Sequence, residues 1–159
     1  MLAPEAAVAY RHRLREAGGR VVLTNGCFDL LHVGHVRYLE SARALGDALL
    51  VGVNSDRSIR GLKTGGRPFV TENERAEVIA ALAAVDAVVV FDELTASRLV
   101  DLLEPDLYCK GGDYTLESLP EAPHVLAYGG EIRFLPFESG HSTTRLVDRI
   151  LAAHGRDPR

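Results

Sequence analysis

The sequence predicts an α/β fold, a doubly wound five-stranded parallel sheet with helices on both faces. Short runs rich in Val, Leu and Ile alternate with segments of helical period, the mark of repeated βαβ units. No Pro/Gly/Ser linker, internal repeat or low-complexity stretch breaks the alternation. One domain over residues 1–159 is therefore expected, with an N-terminal helix in residues 1–19 and a core over 20–153. The two most unusual loops, residues 25–35 and 111–114, each directly follow a strand.

Each element has a local reason. Residues 4–17 begin with Pro4, which suits a first helical turn, and stop at Gly18-Gly19. RVVLT, residues 20–24, is an apolar run of buried-strand length. Residues 34–45 read as an amphipathic helix, and 48–53 as a second strand opening into a polar stretch, 54–68. Thr71 followed by Glu74 is a capping box that starts a helix over 71–83. A third strand over 87–91, a helix over 95–103, a fourth strand over 106–110 and a fifth over 131–135 follow. Residues 142–153 close the chain as a helix. Right-handed crossovers limit the topologies. The suggested order 3-2-1-4-5 puts strands one and four at the switch point, where such sheets bind ligands. Both unusual loops then face one crevice.

The bulk numbers exclude some functions. An apolar share of 47% and a charged share of 25% are those of an ordinary globular protein. A net charge of -4 gives no whole-chain basic field for a nucleic-acid partner. Cys27 and Cys109 form no CxxC pair, which suits a reducing compartment. The first residues lack an apolar signal region, and no apolar run approaches the roughly 18 residues that span a bilayer. A cytoplasmic protein without a membrane partner is expected.

TNGCFDLLHVGH, residues 24–35, leaves a strand, turns at Asn25-Gly26 and enters a helix. His32 and His35, spaced i and i+3, point the same way at a helix start. There they join unpaired N–H groups and the positive end of the helix dipole, a cradle for phosphate oxygens. Gly34 lets a ligand come close to the backbone. A lone histidine would more simply cap the helix; two around a glycine at this turn favour the cradle. A zinc reading with Cys27, His32 and His35 lacks an evident fourth ligand.

Other segments carry phosphate-facing residues. RGLKTGGRP holds Lys63 among glycines with Arg60 and Arg67, a loop suited to closing over an anion or to plain solvation. Arg75 lies in the first turn after Thr71. Lys110-Gly111-Gly112-Asp113-Tyr114 leaves the fourth strand with a composition that a buried terminus does not need. Asp113 suits a ribose hydroxyl or a metal ion, and the residues alone do not choose. Ser142, Thr143 and Thr144 form an N-cap that also suits phosphate. GxGxxG after the first strand and GxxxxGK[ST] are both absent.

NGCFDLLHVGH resembles the signature of the HxGH nucleotidyltransferase (cytidylyltransferase-like) superfamily, and the likeness runs from about Val21 to Ile150. The resemblance implies a Rossmann-like sheet. It also implies that His32 and His35 contact a triphosphate and stabilise the transition state at its α-phosphorus, with Lys63 as a further catalytic cation. Within the superfamily the chain most resembles the heptose 1-phosphate adenylyltransferase domain. The resemblance lies in VNSDRSIRGLKTGGRP, AALAAVDAVVVFDELTASRLVDLLEPDLYCKGGDY and GGEIRFLPFESGHSTT. Glycerol 3-phosphate cytidylyltransferases are the alternative. They carry RTEGISTT, and a tryptophan where this chain has Tyr114. Class I aminoacyl-tRNA synthetases share HxGH, but the chain is too short for one and has no KMSKS-like sequence.

The expected nucleotide site comprises Asn25, Gly26, Cys27, Phe28, His32, His35, Lys63, Arg75, Lys110, Gly112, Asp113, Ser142, Thr143 and Thr144. Asp29 and Arg67 are expected on the side of the acceptor. The expected substrates are ATP, or CTP, and a phosphorylated sugar or polyol. Magnesium is expected to arrive with the nucleotide, and no protein residue is assigned as its ligand. The resemblance further implies a homodimer, and some members carry a fused sugar kinase domain that is not expected here. A non-catalytic nucleotide-binding module is the rival reading. It would not need both histidines together with Lys63, Arg75 and Lys110.

Overall fold

The computed structural model describes residues 1–136 and 140–155. Residues 137–139, part of the FESGHSTT stretch, therefore lie outside the described residues. The chain runs α1 (Pro4–Glu16), β1 (Val21–Gly26), α2 (Val33–Arg43), β2 (Ala48–Asn54), α3 (Asp56–Leu62) and α4 (Glu72–Ala80). It continues through β3 (Ala87–Phe91), α5 (Ser97–Leu103), β4 (Leu107–Gly111), α6 (Ala122–Ala127), β5 (Glu131–Leu135) and α7 (Thr143–Ala153). The five strands form one sheet in the expected order β3-β2-β1-β4-β5, and every pairing is parallel.

Alternation along the strands builds two apolar layers, since successive side chains point to opposite faces. Val21, Leu23, Leu50, Val89 and Tyr108 pack with Ala7 of α1, Val100 of α5 and Val125 of α6. Val22, Leu49, Val51, Val88 and Leu107 pack on the other face with Leu39 of α2 and Ile79 of α4. Helices cover both faces because nearly continuous apolar strands leave no polar face for water.

Two helices were not expected. α3 lies within the stretch read as a polar loop. Its N-cap Ser55 accepts a hydrogen bond from the Ser58 amide at 3.1 Å, and Ile59 is its buried apolar anchor. Seven residues ending at Gly61-Leu62 offer too short a repeat for a periodic signal. α6 is shorter still, with Pro123 near its start. Parallel neighbours β4 and β5 require a crossover, usually helical, and α6 fills it.

The pairing registers open the functional end of the sheet. β1 pairs with β2 from Val21 through Gly26, but with β4 only from Val22 to Thr24, opposite Leu107 to Cys109. Past that point β1 and β4 lose their ladder, and their last residues border a cleft.

Candidate active site

The cleft holds a cavity of about 160 Å³ lined by Asn25, Gly26, Phe28, His32, Gly34, His35, Tyr38, Lys110, Gly111, Pro136 and His141. It lies beyond the carboxyl ends of β1 and β4, where the strand order reverses. That is the expected ligand position in a doubly wound sheet.

The loop after β1 is shaped by tight turns. Phe28 adopts φ +48° and is buried. Gly26 has no room for a side chain, because a Cβ there would lie 3.0 Å from the Phe28 ring. His32 is the N-cap of α2. The His32 and His35 rings stack with centroids 3.9 Å apart and planes 19° from parallel. Phe28 meets His35 edge-on at 5.4 Å. A Cβ on Gly34 would lie 3.1 Å from His32 Nδ1 and from the Cβ of His141. Glycine is thus needed between the two histidines for space.

Burial makes both histidines harder to protonate. Burial lowers the pKa of His32, and the nearby His141 lowers it further. Burial, with His32 alongside, pushes His35 from 6.5 down to about 4. The His32 amide donates to His35 Nδ1 at 3.4 Å, which leaves the proton of the neutral ring on Nε2. His32 Nδ1 is buried with no hydrogen-bond partner among the described residues. Buried polar nitrogens are ordinarily hydrogen-bonded, and the residue that carries this one lines the cavity. His141 completes the set, with its ring 6.4 Å from that of His32.

Opposite the histidines is a polar floor. Asn25 Oδ1 accepts from Tyr108 Oη at 2.6 Å and from Lys110 Nζ at 2.9 Å. Tyr38 reaches up from α2, sharing a 2.6 Å hydrogen bond with Thr24 Oγ1. Its ring lies 3.0 Å from where a Cβ on Gly111 would stand.

The other expected site residues are not part of the cavity wall. Arg75 is buried, with four donors already used. Nε donates to the Val70 carbonyl, one Nη to the carbonyls of Cys27 and Asn54, and the other to Asp56 at 2.7 Å. It ties the β1 loop, the end of β2 and the start of α3 together. Asp29 and Arg67 are brought together at 2.7 Å, and the amides of Phe69 and Val70 donate to the same carboxylate. Burial acts to raise the pKa of Asp29, but Arg67 and the two amides prevail and hold it below the usual carboxylate value. Lys63 is the exposed C-cap of α3. Burial raises the pKa of the Cys27 thiol, and the charges of Lys63 and Arg75 oppose this. Gly112 takes φ +108°, turning the chain after β4 toward exposed Asp113. Ser142 caps α7, its Oγ accepting from the Arg145 amide at 3.2 Å. Thr143 is half-buried and Thr144 exposed.

The sequence reading missed Tyr38, Pro136 and His141, which line the cavity, and Tyr108, which bonds Asn25 of its wall; Gly111 was read only as part of the loop 111–114. Tyr38 and Tyr108 sit in apolar elements and read as core. His141 lies immediately before the Ser/Thr cap, a position that alone could have flagged it.

Comparison with known proteins agrees with this geometry. A doubly wound parallel sheet with its cavity at the switch point defines the class of Rossmann-like α/β proteins. Residues 23–148 match the cytidylyltransferase-like family, and the chain belongs to that family. It is 54% identical over 137 residues to the bifunctional protein HldE of Syntrophotalea carbinolica and 52% identical to that of Koribacter versatilis. Each match covers 86% of this chain but only 28% of the relative, so the chain spans under a third of these proteins. A crystal structure of a lipopolysaccharide core biosynthesis protein from Thermoplasma volcanium aligns with TM-score 0.63 and 30% identity. It covers 76% of this chain and 98% of that one.

Proposed function

We propose that this chain transfers an adenylyl group from ATP to heptose 1-phosphate, releasing pyrophosphate and forming ADP-heptose. The observation that carries the reading is the stacked His32–His35 pair at the N-terminus of α2, facing the cavity at the switch point. Support for the acceptor comes from the resemblance to heptose 1-phosphate adenylyltransferase domains and from the HldE relatives.

In this reading an oxygen of the acceptor phosphate attacks the α-phosphorus in line, and pyrophosphate leaves. The acceptor is already ionised, so positioning and charge stabilisation are the main needs. The neutral imidazoles give N–H donors to the phosphate oxygens, aided by the free amides and dipole of α2. Lys110 supplies a cation from the cavity floor, and Lys63 another from the loop after α3. Ser142, Thr143 and Thr144 offer a second helix start to the triphosphate, with Gly112 and Asp113 near the nucleotide. The Asp29–Arg67 pair serves the acceptor side. Arg75 supports the nucleotide loop through the Cys27 carbonyl that it holds.

Magnesium would neutralise charge on the triphosphate. It keeps several waters and needs few protein oxygens; exposed Asp113 fits as a single carboxylate contact. A homodimer remains part of the proposal.

His35→Ala tests the central role. Removing an aimed donor of this kind lowers turnover by about 10² to 10³-fold. Pyrophosphate release should fall by that much with the circular dichroism spectrum unchanged. A folded mutant with near-normal turnover would refute the assigned role.

A further inference from the structure

Where β1 and β4 part, a buried polar network of Asn25, Tyr108 and Lys110 borders the cavity. Two of its members, Asn25 and Tyr108, are uncharged and cannot offset the charge of Lys110, whose side chain is only 14% exposed. The Tyr114 ring, 5.4 Å from Nζ, adds a weak attraction. The answering charge comes from the crossover after β4. Glu121, the N-cap of α6, has a side chain only 3% exposed. Its Oε1 accepts from the Ala96 amide at 2.8 Å. Its Oε2 stands 4.0 Å from Lys110 Nζ, and the same carboxylate lies beside the Tyr108 hydroxyl, whose pKa its charge helps to raise.

We propose that Glu121 is a positioning residue of the nucleotide site, its carboxylate holding the Lys110 ammonium charged and in place at the cavity floor. The 4.0 Å spacing is central to the argument. It supplies a compensating charge in a low-dielectric setting without using one of the three ammonium donors. One donor goes to Asn25 and one points to Tyr108 Oη at 3.5 Å, which leaves the third for a phosphate oxygen. The remaining titratable neighbours are the Tyr108 and Tyr114 hydroxyls and the Cys27 thiol. Burial raises the pKa of both Tyr108 and Cys27, so these two stay uncharged at neutral pH. Burial by itself lowers the pKa of Lys110, and Glu121 opposes it. The assignment rests on the reading of the cavity as a triphosphate site.

Glu121→Gln keeps an oxygen for the Ala96 amide and removes only the charge. The chain has two lysines, Lys63 and Lys110, so NMR of lysine-labelled protein follows each titration without ligand or turnover. The Lys110 midpoint should fall by at least about one pH unit, with Lys63 unmoved. For a one-unit fall, ATP affinity should then weaken by about threefold midway between the two midpoints, approach about tenfold above both, and stay near wild type at pH 6. An unchanged Lys110 midpoint overturns the proposal. If neither protein binds ATP, the triphosphate reading fails, and the assignment of Glu121 to a nucleotide site fails with it. Should Glu121→Gln not fold, Glu121→Asp retracts the carboxylate by one methylene. It must still lower the midpoint, and no shift there is equally fatal.

Discussion

His35 sits between the Phe28 ring and the His32 ring, and this packing sets its chemistry. Its pKa falls from 6.5 to about 4 because a half-buried imidazole beside another imidazole resists protonation. In the window between those values the unfolded chain binds the proton and the folded chain does not. Stability therefore rises with pH through the window and is fully present above 6.5. The melting temperature should drop as pH is lowered from 6.5 toward 4. His35→Gln, which cannot titrate, should flatten that part of the curve. Equal pH slopes for the two proteins would show that His35 is not held neutral.

Among the elements, α4 has a role that its surface does not show. Arg75 projects from its first turn and ties three segments together through four hydrogen bonds. Arg75→Ala would leave the Cys27 and Asn54 carbonyls without this donor and Asp56 without its ion pair. Breaking such a buried pair costs about 3 to 5 kcal/mol. Urea unfolding followed by circular dichroism should show a loss of that size, whereas a loss below about 1 kcal/mol would mean that the segments are held otherwise. The helix start itself was legible: Thr71 and Glu74 form the expected capping box, with Thr71 Oγ1 2.7 Å from Glu74 Oε2. So were the five strands, because apolar runs of strand length alternate with helical segments; their order, which crossover rules narrow without fixing, matches the suggested 3-2-1-4-5. α3 and α6 were not, since one or two turns carry no measurable period. In the site, glycines and paired histidines announced the β1 loop. Tyr38, Tyr108 and Glu121 did not stand out, because their part depends on three-dimensional pairing across segments distant in sequence.

At the level of the whole molecule, an acidic protein of net charge -4 is proposed to bind polyanions. Local arrangement resolves the conflict. Three of the cations near the cleft are matched by carboxylates: Arg67 by Asp29, Arg75 by Asp56 and Lys110 by Glu121. In the proposed function, attraction for phosphate is left to the α2 terminus, the imidazoles, the remaining ammonium donor of Lys110, exposed Lys63 and the start of α7. Among the described residues no helix is long and apolar enough to cross a membrane. Fold, cavity and family membership all support the proposed nucleotidyl transfer at the switch point.

The most direct test is pyrophosphate release with magnesium, offering ATP or CTP with heptose 1-phosphate, other sugar 1-phosphates and glycerol 3-phosphate. The account predicts release with ATP and heptose 1-phosphate, at least about tenfold above CTP or glycerol 3-phosphate, a discrimination of about 1.4 kcal/mol. Release only with CTP and glycerol 3-phosphate would contradict the adenylyl and heptose assignments. Tight nucleotide binding without release for any acceptor would contradict catalysis itself.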